Sequence, residues 1–207
     1  PLKLLRSKFV WSLTLSKVFM DPVWYFITFW IARYLADVHH WDLATIGWFA
    51  TIPFIVADLG NILGGLFTQM IIRRGVPIPR ARKIAAGLFG TMMGASLLVG
   101  PLVIVNPATA LAVLAVAGFG YAAYTANTMA FPADVVPGNA TASVWGVASV
   151  GSGLGGFVFQ GLSGLAVKKI AAASGYTVAY HTVFLGYGIL AFIGLAIVLL
   201  VMGPLVR

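Results

Sequence analysis

The chain has 207 residues, of which 60 % are hydrophobic and 9 % charged, with five aspartates, no glutamate and a net charge of +8. Its mean hydropathy of +0.98 lies far above that of soluble domains and identifies an integral membrane protein. The positive charge does not point to nucleic acid, which needs a solvated basic face, because these cations sit in short segments between apolar runs.

The absence of cysteine excludes a disulfide framework and thiolate metal sites. The sequence opens at Pro1 with neither an initiator Met nor a signal-peptide pattern, and is expected to be a piece of a longer chain. A membrane-crossing helix needs about 20 mainly apolar residues. Six runs meet that condition: 11–35, 43–72, 84–105, 110–131, 142–167 and 182–203. The predicted fold class is all-α, an integral membrane bundle of six helices in one domain over 1–207. Helices satisfy their own backbone in lipid, and the alternation of barrel strands is absent.

The first run contains "SKVFMDPVWYFITFWIARYL" (16–35), in which Lys17, Asp21, Trp24, Tyr25 and Thr28 recur at i, i+4, i+7, i+8 and i+11 and so share one helix face. Polar groups at membrane depth are costly, so this face should look into the bundle or a water-filled cavity. Asp21 has three readings: a pair with Lys17, a cap where Pro22 starts the helix, or a functional carboxylate. Pro22 should kink the helix or mark its first regular turn, freeing carbonyls that must meet protein or water.

In the second run Asp58 and Asn61 stand one turn apart in "ADLGNILGG", as interhelical ties or ligand contacts. The following "RRGVPIPRARK" (73–83), with Arg73 and Arg74, reads first as a topology signal and second as a gate. The third run carries Gly90 and Gly94. The fourth places Tyr121, Tyr124, Thr125 and Thr128 on one face with Asn127 to one side, and Trp24, Tyr25 and Tyr124 lie too deep for an interfacial belt. The fifth contributes Ser149, Ser152 and Gln160. Its "GSGLGG" (151–156) matches the dinucleotide fingerprint in letters but lacks the strand, soluble helix and acidic residue that the fingerprint requires. Gly60/Gly64, Gly90/Gly94 and Gly151/Gly155 instead predict close helix crossings.

The N-terminal flank, 73–83, 132–141 and the C-terminus hold Lys3, Arg6, Lys8, Arg73, Arg74, Arg80, Arg82, Lys83 and Arg207, against Lys168 and Lys169 on the other side. The positive-inside rule then puts both termini in the cytoplasm. The sequon at Asn139 falls on that side and is discounted. His39, His40 and His181 fall in or beside outward loops without a zinc pattern, and no serine has a nucleophile elbow. No enzyme constellation, metal site or cofactor is expected.

Four segments, "SKVFMDPVWYFITFWIARYL" (16–35), "IPFIVADLGNILGG" (52–65), "RRGVPIPRARK" (73–83) and "GFGYAAYTANTMAFPADVVP" (118–137), resemble the C-terminal half of major facilitator superfamily transporters. The likeness is closest to the anion:cation symporter branch that includes hexuronate and related sugar-acid transporters. Members of that branch usually carry a bulky residue, often Trp, where Tyr124 stands, and often Lys or Arg after Pro where Ala32-Arg33 stands.

The resemblance implies spans seven to twelve of a twelve-span protein in a bacterial cytoplasmic membrane, with a missing N-terminal six-helix half as partner and lipid around it. It implies an organic anion, coupled to protons in the family's manner, held at the midplane and moved by alternating access. The basic residue for the carboxylate and the main coupling acids would belong to the absent half. This half would supply sugar-hydroxyl recognition through Trp24, Tyr25 and Thr28 from the first span, Tyr124 and Asn127 from the fourth and Ser152 from the fifth. Lys17, Asp21, Asp58, Asn61, Arg73 and Arg74 would act as gating or structural polar residues. Three alternatives stay open: a non-transporting membrane sensor or scaffold, a dimerising half-transporter, and a transporter of another solute.

Overall fold

The computed structural model describes residues 7–201, and the segments run α1 (Lys8–His39), α2 (Leu43–Phe49), α3 (Ile52–Arg73), α4 (Ile78–Val103), α5 (Pro107–Thr128), α6 (Phe131–Val135) and α7 (Gly138–Ala196), with a π-helical end at Ile197–Val201. Lys3, Arg6 and Arg207, and the last two residues of the predicted run 182–203, lie outside the described residues. The architecture is an all-α membrane bundle, as the composition requires.

Four helical stretches among the described residues are long and apolar enough to cross a membrane: Leu43–Arg73, Ile78–Val103, Pro107–Asp134 and Gly138–Leu200. The last is far longer than a bilayer needs, and Gly175 breaks it. Its φ of 85° and ψ of 163° are open to glycine and closed to other residues, and the chain reverses there. Residues before the break pack parallel to α1, with Gly151 on Thr14, Gly155 on Val18 and Gln160 on Trp30. Residues after it run back along α1, with Tyr180 near Asp37, Phe184 near Phe26 and Gly194 on Met20. α7 is therefore two arms, 138–174 and 176–196, and helix occupies the region predicted as the loop 168–181.

The run predicted over 43–72 is also interrupted, between α2 and α3. Pro53 lies in the first turn of α3, where its missing N–H costs nothing, but its ring would clash with a helical carbonyl one turn back. Asp42 starts α2 by accepting from the Thr45 N–H at 3.2 Å, and Asn106 with Thr109 forms a reciprocal capping box before Pro107.

α1 is 32 residues long and continues through Pro22. It begins near Ser7, so Asp21 is an interior residue and the reading of Asp21 as a cap at the helix start is corrected. Its charges and its Trp and Tyr rings make α1 less apolar than the four stretches above.

Helix pairing follows an exchange pattern. α1 is parallel to the first arm of α7 and antiparallel to the second. α5 is parallel to α3, with Gly60 on Phe119 and Gly64 on Ala123, and antiparallel to α4, with Gly120 on Phe89 and Met93. α1 and α5 face each other, and α4 meets the second arm through Gly90 and Gly94 against Leu195 and Phe192. Swapping α1, α3 and α4 for α5 and the two arms reproduces every one of these contacts, the signature of two inverted three-helix repeats.

The three glycine pairs make the close crossings their spacing predicts. At Gly151 and Gly155 a Cβ would overlap the carbonyl oxygens of Thr14 and Val18. The core lies where α1 and the second arm meet α4 and α5, around Phe26, Tyr34, Phe184, Met93 and Leu114. Coverage is uneven: the most apolar window of Pro107–Asp134 is 61 % buried, that of Leu43–Arg73 only 22 %. Ile55, Leu59, Ile62 and Leu66 on α3, and Leu154 and Phe157 on α7, stay exposed.

Candidate functional site

The polar stripe of α1 faces α5 and the first arm of α7, and the partners it finds there are specific. Lys17 Nζ lies 2.7 Å from Asp21 Oδ2, the pairing that their i,i+4 spacing allows. Tyr121 Oη donates to Asp21 Oδ1 at 3.2 Å. The ammonium of Lys17 also stands 5.6 Å above the Trp145 ring, a cation–π geometry. Asp21 is 4 % exposed, so its charge is held by a cation and a phenol rather than by solvent. With Lys17 committed to Asp21, the pair carries no net charge toward a ligand.

One turn farther along α1, Trp24 stacks on Tyr121, centroids 5.4 Å apart and planes 8° from parallel, and meets Phe54 of α3 edge-on at 5.7 Å. Tyr25 points to the other neighbour, where its Oη and Ser152 Oγ share a hydrogen bond of 2.8 Å. Gly156 leaves room for the Tyr25 ring, since a Cβ there would come within 2.8 Å of it. Trp24 and Tyr25 are half-buried and Thr28 is exposed. Together they form a wall of π faces and hydroxyls, open on one side, between α1, α5 and α7.

Tyr124 lies one turn from Tyr121 and is buried, with its Oη 2.9 Å from Ser16 Oγ. Trp30 Nε1 donates to Gln160 Oε1 at 2.5 Å near the opposite end, leaving the amide nitrogen of Gln160 buried without a partner among the described residues.

Asn127 differs from its expected place beside the sugar wall. It is 1 % exposed, between α3 and α5. Its Nδ2 donates to the carbonyls of Gly64 at 3.2 Å and Ala123 at 2.8 Å, and its Oδ1 accepts from Thr68 Oγ1. The amide is fully used in tying two helices whose backbones Gly64 lets approach. Asp58 and Asn61 are the reverse case. Both are exposed on α3, and among the described residues neither hydrogen-bonds to another helix. Arg73 and Arg74 are exposed at the end of α3, before Gly75 with φ 90°. Beyond them Arg82 Nε meets Asp134 Oδ2 at 2.6 Å, an ion pair that is not aligned as a hydrogen bond.

The structure thus gathers Lys17, Asp21, Trp24, Tyr25, Tyr124 and Ser152 in one place, with Thr28 at its open edge. Sequence reasoning missed three contributors. Tyr121 was legible as a face-mate of Tyr124, and Trp145 lies on the Ser152 face at i, i+7. Phe54 had no polar signal to mark it.

Among known proteins, the chain is similar to the hexuronate transporter of Escherichia coli (strain K12), 29 % identical over 179 residues that cover 84 % of this chain and 39 % of that protein. It is also similar to the galacturonate transporter of Dickeya chrysanthemi, 31 % identical over 48 % of this chain and 28 % of that one. The D-galactonate transporter of an Escherichia coli O6:H1 strain is 28 % identical over 77 % of this chain and 35 % of its own. The chain therefore spans less than two fifths of the length of each of these relatives. Residues 2–160 match the family model of the Major Facilitator Superfamily. With that match over most of its length and a bundle of two inverted helix triplets, the chain belongs to the Major Facilitator Superfamily.

Proposed function

We propose that this chain is the C-terminal six-helix half of a twelve-span transporter that moves a sugar acid, a hexuronate or aldonate, together with a proton by alternating access. The relatives described above bear the names of hexuronate, galacturonate and D-galactonate transporters, and the family is one of transporters rather than enzymes. The spans on this reading are 11–35, 43–72, 84–105, 110–131, 142–167 and 182–203. Both termini lie in the cytoplasm of a bacterial cell, as the nine-to-two cation asymmetry favours.

The observation that carries the reading is the uncharged aromatic and hydroxyl wall of Trp24, Tyr121, Tyr25 and Ser152, open on one side. Aromatic faces suit the C–H surface of a sugar, and hydroxyl groups fix its orientation without adding charge. Thr28 extends the wall, and Tyr124 lies buried one turn along α5 from Tyr121. Lys17 is already paired, so the cation for the sugar carboxylate belongs to the other half. The exposed apolar faces of α3 and of the first arm of α7 suit that half and lipid. The Lys17–Asp21 pair is a latch at the cytoplasmic mouth, and Arg73 and Arg74 are gating or structural polar residues on the same side.

The deciding experiment is uptake of labelled glucuronate or galacturonate by the full-length parent, with and without a protonophore. Collapse of uptake on adding the protonophore is expected. Uptake that ignores the proton gradient would leave exchange or facilitated diffusion, and uptake of no sugar acid at all would remove the substrate class.

A further inference from the structure

The seam between α1 and the first arm of α7 continues past the aromatic wall, toward the His39 end of α1. Tyr25 meets Ser152 and Gly156, and farther along Trp30 donates to Gln160 and lies against Gly164. Beyond that contact the two helices part around a cleft of about 360 Å³, lined by Trp30 and Arg33 from α1, Gly164 and Lys168 from the first arm, and Tyr176 just past the reversal at Gly175. Both sides of the cleft belong to this chain, so it exists whatever covers its opening. Residues 25, 29 and 33 recur at i, i+4 and i+8, which puts Arg33 two turns, roughly 12 Å, from Tyr25.

The chemistry of the cleft is the reverse of that of the wall. Around Trp24 and Tyr25 the one cation, Lys17, is neutralised by Asp21, whereas the cleft brings two cations together from two helices. The Arg33 guanidinium stands 5.8 Å from the centroid of the Trp30 ring, a ring whose place is fixed by Gln160 and Gly164. Arg33 meets Asp37 through Nε at 3.3 Å, with its side chain 63 % exposed, and such exposed pairs hold weakly. Tyr180 Oη donates to the same Asp37 oxygen at 2.8 Å. Asp37 therefore keeps a partner when the guanidinium turns to another anion, and the guanidinium fork fits a carboxylate on two bonds. Topology does not ask for these charges. In the orientation proposed above this end faces outward, the side on which the positive-inside rule disfavours Lys and Arg.

We infer that this cleft is a second, outer binding site for the sugar acid, an antechamber that takes the anion by its carboxylate before it reaches the wall. The inference rests on the sugar-acid transport proposed above and adds a site to it. Arg33 and Lys168 hold the carboxylate from opposite helices, and the rings of Trp30 and Tyr176 meet the C–H surface of the sugar. Cations at the mouth of a cavity raise the local concentration of an anion there. Moving inward, the sugar acid exchanges these charged contacts for the hydroxyls of Tyr25 and Ser152.

The test counts labelled glucuronate bound at equilibrium by the purified full-length parent in nanodiscs of zwitterionic lipid. The parent should bind two labels at saturation, and the double variant Arg33→Gln with Lys168→Gln only one. Either single variant should weaken the outer site about fivefold, with Arg33→Lys weakening it less than Arg33→Gln. One label on both the parent and the double variant would overturn the inference and leave the transport reading intact. Loss of both labels from a correctly inserted double variant would also overturn it, in favour of a contact that holds the two halves together. Repeating the count in nanodiscs that contain anionic phospholipid separates the sources of the anion. A second label that persists there supports the sugar-acid site, and one that disappears would assign the cleft to a lipid phosphate and overturn the inference. A parent that binds no sugar acid would bring down the substrate reading, and this inference with it.

Discussion

Gly155 lies against the carbonyl of Val18, the carbonyl that Pro22 leaves without a helical donor. A proline in a helix interior ordinarily strands that oxygen. Here the partner helix offers a Cα without a side chain, so the oxygen meets a glycine hydrogen instead of lipid, a weak but recurrent contact. The oddity of a helix breaker in the first run and the run of glycines in the fifth are one arrangement.

Enlarging Gly155 should therefore damage the protein more than its helix propensity suggests. Gly155→Val has to push α7 off α1, an overpacking cost of about 1–3 kcal/mol, and should lower the melting temperature of the purified parent. Gly153→Ala is the control, because a Cβ there meets nothing within 4 Å. Equal effects at the two positions would assign the loss to helix flexibility rather than to the crossing.

Tyr25→Phe removes a hydroxyl that bridges α1 and α7 at the proposed sugar wall. A lost hydrogen bond of about 1 kcal/mol corresponds to roughly a fivefold rise in apparent KM, with membrane insertion unchanged. Ser152→Ala should act in the same direction, and the double variant should lose less than the sum of the two. Kinetics like those of the parent in both variants would take this pair out of the site.

The Lys17–Asp21 pair should show the asymmetry of a buried ion pair. Asp21→Asn leaves the ammonium beside Trp145 without its carboxylate, and breaking such pairs costs about 3–5 kcal/mol where burial is complete. Transport by the parent should fall sharply. Combining it with Lys17→Gln should restore stability, because no charge is then left unpaired, but not the latch. Normal uptake by Asp21→Asn alone would contradict the gating role.

Asn127→Ala should act on stability first. Interhelical hydrogen bonds in membrane bundles are worth about 0.6 kcal/mol on average and up to about 1.7, and Asn127 makes contacts with both Thr68 and the Gly64 carbonyl. Thermal unfolding of the purified parent should shift down, and Thr68→Val should reproduce part of the shift. An affinity loss without a stability loss would return Asn127 to the ligand wall.

The fold was largely legible because membrane depth enforces apolar length, and apolar length is visible in a single sequence. Close crossings were legible too, since a glycine four residues from another has few other uses in a bilayer. The break between α2 and α3 was less so, because Pro53, two residues past Ala50-Thr51, is compatible with one kinked span. At the site, Lys17, Asp21, Trp24 and Tyr25 declared themselves by sharing a helix face. Asn127, expected at the ligand wall, is engaged between two helices, and Asp58, read as an interhelical tie or a ligand contact, is exposed on α3. An amide and a carboxylate look alike at membrane depth until the facing helix is known. Gly64 brought a backbone carbonyl to Asn127, whereas among the described residues neither a hydrogen bond nor an ion pair reaches Asp58.

The exchange of α1 and α5 between the two helix triplets places a glycine-sealed seam on each side of the proposed cavity, Gly60 and Gly64 on one, Gly151 and Gly155 on the other. In both, peptide groups rather than rotamers set how far apart the lining helices stand. The width of the chamber is then independent of which side chains decorate it. Substitutions at Trp24, Thr28 or Tyr124 can re-letter the lining for a new solute while the frame keeps its gauge.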